Sequence, residues 1–111
     1  MGQYHKVYNI DKKQFIHPHK IDNGLKLVEQ IGHLRSTSTA LFLLLSNSNG
    51  RGGGDVLKHD FIGKWAGDRV VIQGDYAEDC DNGFINNDDI ESYSDISDMV
   101  NQMLDVALQD L

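Results

Sequence analysis

Phe61-Ile62-Gly63-Lys64-Trp65-Ala66-Gly67-Asp68-Arg69-Val70-Val71-Ile72-Gln73 is the stretch on which the fold turns. Its two arms, 61–66 and 69–73, flank Gly67-Asp68, a two-residue connection that a type II′ hairpin accepts because glycine tolerates positive φ. A β-hairpin is expected here. The same stretch marks a break in charge. The 111-residue chain carries ten Lys and Arg against 17 Asp and Glu, and all ten cations fall within residues 1–69, beside six acids. Residues 70–111 hold eleven acids and no Lys or Arg, so the net charge of −7 divides into +4 and −11 just after Arg69.

Working outward, Tyr4, Val7, Tyr8 and Ile10 precede the polar Asp11-Lys12-Lys13, and Phe15-Ile16 follow it. This pattern predicts two further short strands around a turn, closed by Pro18. Residues 22–34 open with the capping pair Asp22-Asn23 and space Leu27, Ile31 and Leu34 at helical intervals, interrupted by Gly24 and Gly32. In the run Ala40-Leu41-Phe42-Leu43-Leu44-Leu45 contiguous apolar residues carry no period, so composition decides. Leu and Ala without a β-branched residue favour a helix, and Ser36-Thr37-Ser38-Thr39 offers hydroxyls to its first free N–H groups. A helix over 37–46 is expected, followed by a Ser/Asn/Gly-rich loop to residue 54. Ile96, Met99, Val100, Met103, Leu104, Ala107 and Leu108 recur at three- and four-residue steps behind Ser94, Asp95 and Ser97, with Asp98, Asn101, Gln102, Asp105 and Gln109 opposite. That is the pattern of an amphipathic helix. Together these elements predict one α+β domain over 1–111, a small antiparallel sheet from two hairpins packed against two helices.

One thiol, Cys80, forms no internal disulfide and no multi-cysteine zinc site, so a reducing, cytoplasmic setting is expected. The apolar run 40–45 falls far short of the roughly 18 to 20 residues that span a bilayer, and Met1-Gly2-Gln3-Tyr4-His5-Lys6 lacks an apolar signal core. Gly2 is no myristoylation signal, because Lys6 stands where Ser or Thr is wanted. No membrane partner is expected.

Several segments resemble a family of small uncharacterised bacterial and phage-borne proteins. They are Gly2-Gln3-Tyr4, Asn9-Ile10-Asp11-Lys12-Lys13, Pro18-His19, Gly24-Leu25-Lys26-Leu27, Asn49-Gly50-Arg51-Gly52-Gly53-Gly54-Asp55 and Trp65-Ala66-Gly67-Asp68-Arg69-Val70-Val71-Ile72-Gln73-Gly74-Asp75-Tyr76-Ala77. The resemblance covers residues 2 to about 77. It implies a bacterial or phage origin and no activity, and the acidic stretch beyond Ala77 departs from it.

The residues themselves carry three functional readings. In the first, the acidic half is a recognition face: Asp79, Asp81, Asp88, Asp89 and Glu91 attract a basic protein partner, one that itself binds nucleic acid, in the manner of an inhibitor, while repelling nucleic acid directly. The competing ordinary account pairs these acids internally with Lys58, Lys64 or Arg69. In the second, Gly50, Arg51, Gly52, Gly53 and Gly54 let backbone approach a phosphate-bearing ligand, Arg51 and Arg69 supply guanidinium donors, and Asp75 and Tyr76 orient it. The loop matches neither a P-loop nor a dinucleotide fingerprint, since no Lys-Ser/Thr follows and Asp55 stands at the last glycine position. In the third, Glu78, Asp79, Asp81 and Asp89 around Asn82-Gly83 hold a divalent cation, although Cys80 falls at an oxygen-ligand position of an EF-hand alignment.

No cofactor is called for. His17-Pro18-His19 is two ligands short of a zinc site, and an acidic neighbourhood blunts Cys80 as a nucleophile. The balance leans away from an enzyme.

Overall fold

A computed structural model of the protein describes residues 4–21, 35–47, 57 and 59–109. The helix expected over 22–34 and most of the Gly-rich loop lie outside these residues. The elements run β1 (His5–Asn9), β2 (Gln14–Ile16), α1 (Pro18–Ile21), α2 (Thr37–Leu45), β3 (Val70–Gly74), α3 (Asn87–Ile90), β4 (Ser94–Asp95) and α4 (Ser97–Ala107). The class is α+β, as expected, with the strands in the order β3-β1-β2-β4.

β1 and β2 form the expected hairpin, with Val7 opposite Ile16 and Asn9 opposite Gln14. Its turn is held by the buried Asn9, whose Oδ1 accepts from the Lys12 N–H at 2.8 Å and whose Nδ2 donates to Asp68 at 2.9 Å. Lys13 takes positive φ, +54°, to bring the chain back. Pro18 ends β2 and opens α1, where its missing N–H costs no hydrogen bond.

The second hairpin does not form. Residues 60–67 wind through successive turns, with N–H groups of Lys64, Ala66 and Asp68 bonded three residues back, and β3 pairs with β1 instead. The cause is the C-terminal end of α2, whose last carbonyls lack the N–H donors of a following turn and are left open to further bonds. Gly63 and Trp65 donate to the carbonyls of Leu43 and Leu44, both at 2.9 Å. Gly63 sits at φ +86°, and a Cβ there would lie 2.7 Å from the Ser46 carbonyl oxygen, so only glycine fits the contact. Trp65 is thereby delivered into the core, fully buried, with its Nε1 donating to Gln14 at 2.8 Å. The sheet is also mixed rather than antiparallel, because β4 runs parallel to β2.

Val7 and Ile16 face α2 and α4 across a core that includes Ala40, Leu44, Trp65, Ile96, Val100, Met103 and Leu104. Helix α4 follows its pattern, burying Val100, Met103, Leu104 and Ala107. Each of the larger side chains contributes roughly 1.5 to 3 kcal/mol by leaving water. Met99 departs from the expected stripe and is 43% exposed. Ser36 caps α2 by accepting from Thr39 N–H. Ahead of α4, Asp95 accepts from the N–H and Oγ–H of Ser97, whose Oγ in turn accepts from His17 N–H at 2.8 Å. Among the described residues no helix is long and apolar enough to cross a membrane.

Candidate functional site

Strand alternation places Lys6, Tyr8, Phe15, Val71 and Gln73 on the sheet face opposite the core helices. The acidic segment covers that face. Beyond β3 the chain turns at residues 74–77, and Asp75 exchanges bonds with Tyr4, its N–H donating to the carbonyl at 2.9 Å and its Oδ1 accepting from the N–H at 3.1 Å. A tight turn follows, in which Asp81 Oδ2 accepts from Glu78 N–H at 2.8 Å and Gly83 takes φ +74°. Gln73 then grips the returning backbone with both ends of its amide. Its Oε1 accepts from Ile85 N–H at 2.8 Å and its Nε2 donates to the Ile85 carbonyl at 2.9 Å. Asn86 caps α3, Tyr93 meets Tyr8 edge-on at 5.7 Å, and the chain enters β4.

The side chains of Glu78, Asp79, Asp81, Asp88, Asp89 and Glu91 all belong to exposed residues. Among the described residues none of them forms an ion pair; the pairs are Lys12 with Asp68, Lys20 with Asp95, Arg35 with Asp105 and Arg69 with Asp11. Arg69 donates to Asp11 through Nη2 at 2.7 Å, Nε at 3.0 Å and its backbone N–H at 2.8 Å. These bonds hold the Asp11 carboxyl below the usual carboxylate range. Asp68 is held down likewise, by Lys12 and then Asn9.

The ligand set expected of the second reading is not brought together. Arg69 precedes β3 and Asp75 follows it, so six extended residues, about 20 Å, separate them. Tyr76 is 62% exposed beyond Asp75, while Gly50, Arg51, Gly52, Gly53 and Gly54 lie outside the described residues. For the third reading, no group of three or more His, Cys, Asp or Glu among the described residues could hold a metal ion. Glu78, Asp79, Asp81 and Asp89 share a surface without converging on a point.

Two concavities border the segment. A cleft of about 440 Å³ between it and the sheet is lined by Lys6, Tyr8, His17, Asp75 and Phe84 among others. Burial, and then the charge of Lys6, push His17 below the ordinary imidazole value, and its buried Nδ1 has no hydrogen-bond partner among the described residues. Burial also pushes Tyr8 up, as does Tyr93 beside it. A smaller groove of about 250 Å³ follows β3, lined by Val71, Ile72, Gln73, Tyr76, Asp81 and Phe84 among others. Sequence reasoning missed Lys6, Tyr8 and Gln73, and weighed His17 as a metal ligand. The alternation of β1 could have placed Lys6 beside Tyr8, but nothing local joins Gln73 to Ile85. Compared with known proteins, the chain matches no family model, no curated protein and no solved structure.

Proposed function

We propose that this chain is a non-enzymatic binding protein of bacterial or phage origin whose acidic segment, residues 78–91, docks on a basic protein partner and obstructs its nucleic-acid-binding surface. The observation that carries this reading is that six carboxylates in that segment are exposed and, among the described residues, unpaired. Of the cations in the ordinary account, Arg69 is engaged by Asp11, Lys64 is exposed and forms no ion pair among the described residues, and Lys58 lies outside them. The segment is also held to the sheet by Gln73 and Tyr93, and within it Asn86 caps α3, so its charges are presented on a fixed backbone. Less ordering entropy then opposes association.

Capture on an immobilised lysine-rich basic protein tests the reading. Binding falls steeply as ionic strength rises from about 0.1 M, where the screening length is about 10 Å, to about 1 M, where it is about 3 Å. Replacing Asp79, Asp81, Asp88 and Asp89 together by Asn abolishes capture. The same change in net charge made by Asp60→Lys together with Asp98→Lys, at exposed residues outside the segment, retains it. Equal loss from both sets would mean that net charge alone binds, and the docking face would be abandoned.

A further inference from the structure

The outermost strand, β3, lies beside this acidic rim, and among the described residues no strand pairs with its outer edge. Its ladder with β1 fixes which groups point outward. Ile10 N–H donates to Arg69 O, and Asp75 N–H donates to Tyr4 O, so residues 69, 71, 73 and 75 turn their N–H and C=O groups toward β1. In an antiparallel pair the intervening residues face away. The N–H and C=O groups of Val70 and Ile72 therefore line the outer edge, and among the described residues they meet no partner, whereas Gly74, which points the same way, is buried. Ile72 is 45% exposed.

Strand edges in soluble proteins are commonly blunted by a charge, a proline or a bulge. Val70-Val71-Ile72-Gln73-Gly74 has none of these and pairs in unbroken register. What borders it is chemically two-sided. Along the strand runs the groove lined by Val71, Ile72, Gln73 and Asp81 among others, with Glu78 in the same turn as Asp81. On the face opposite Val71 and Gln73 lie the side chains of Val70 and Ile72.

We propose that β3 receives an extended segment of the partner protein as a fifth strand, one in which Lys or Arg alternates with aliphatic residues. The cations face the turn at 78–81 and the aliphatic side chains face Val70 and Ile72; backbone hydrogen bonds supply affinity and the alternation supplies selectivity. A second copy of this chain is the poorer occupant, since edge-to-edge pairing brings two uncompensated acidic rims together. The inference rests on the basic-partner reading above and goes further by specifying how the partner is held.

The probe is a synthetic peptide of alternating Lys and Val, followed by amide hydrogen exchange and chemical shifts on the intact chain. Its binding slows exchange at Val70 and Ile72. N-methylating the peptide residues that face β3 weakens binding about tenfold or more, because each lost backbone bond is worth on the order of a factor of ten. An alternating Glu and Val peptide does not bind. Placing the modification on the peptide leaves the protein unaltered, so misfolding cannot mimic the result. Salt-sensitive binding that N-methylation leaves unchanged, with no protection along β3, would overturn the edge inference and leave the acidic face standing. Failure of both the peptide and the lysine-rich protein to bind would remove both. Protection of Ile72 that grows with protein concentration alone would assign the edge to a second copy and overturn the inference.

Discussion

The two faces of the central sheet are covered by different chemistry. On one, α2, α4 and the turns at 60–67 press Leu44, Trp65, Val100, Met103 and Leu104 against Val7 and Ile16. On the other, the acidic segment is held by Ile85, the Tyr8–Tyr93 contact and the two bonds of the Gln73 amide. Stability is thus concentrated on the first face, and charge is displayed from the second. The switch in charge after Arg69 does not follow this division, since α4 lies beyond it in sequence and packs on the first face.

Trp65→Ala should produce the largest loss, about 3 to 5 kcal/mol in urea or thermal unfolding, because it empties the packed face and strips Gln14 of its donor. Gly63→Ala should cost about 2 to 4 kcal/mol by the same measurement, from a left-handed backbone and a Cβ driven against the Ser46 carbonyl. A smaller, local effect is expected on the opposite face. Gln73→Ala leaves the Ile85 N–H and carbonyl without their partners, which costs about 1 to 3 kcal/mol. Amide exchange should then quicken over residues 84–93 while α4 stays protected; uniform quickening would mean that the two faces unfold as one unit.

Acidification probes the cleft between the faces. His17 binds a proton less readily folded than unfolded, first because it is buried and then because of Lys6. Its contribution to stability is complete above the unfolded value of about 6.5 and is lost as pH falls through the lower folded value. The His17 ring should titrate below the ordinary range by NMR, with the melting temperature declining over the same interval; titration at or above that range would refute the assignment. Asp11 and Asp68, also depressed, add a further decline in the carboxylate range at lower pH. The smallest change in stability, within about 0.5 kcal/mol, is expected for the fourfold Asn variant at 79, 81, 88 and 89, whose effect should be confined to partner capture.

How much of this was legible in the chain follows the range of each interaction. Helix α4 was readable because Val100, Met103, Leu104 and Ala107 repeat within one element, and the β1–β2 turn because Asn9 to Lys13 is local chemistry. The turns at 60–67 were misread as a strand, since the contacts that decide them join Gly63 and Trp65 to the end of α2, some twenty positions away. The two residues of β4 are too few to carry any period. At the site, the exposure of Asp79, Asp81, Asp88, Asp89 and Glu91 was foreseeable from the lack of neighbouring cations. The capture of Arg69 by Asp11, 58 positions distant, was not, nor was the grip of Gln73 on Ile85.

The placement of β1 between β2 and β3 also orders events in time. Its hairpin with β2 can close as soon as residues 5–16 leave the ribosome, yet both flanks of that hairpin stay bare until much later sequence arrives. Bonds that complete them span 71 positions from Tyr4 to Asp75 and 80 from His17 to Ser97. Such long loops must be closed before their contacts repay the entropy, which slows folding. A nascent chain halted before Val70 would carry an unfinished sheet, and native structure should emerge only after synthesis has passed α4.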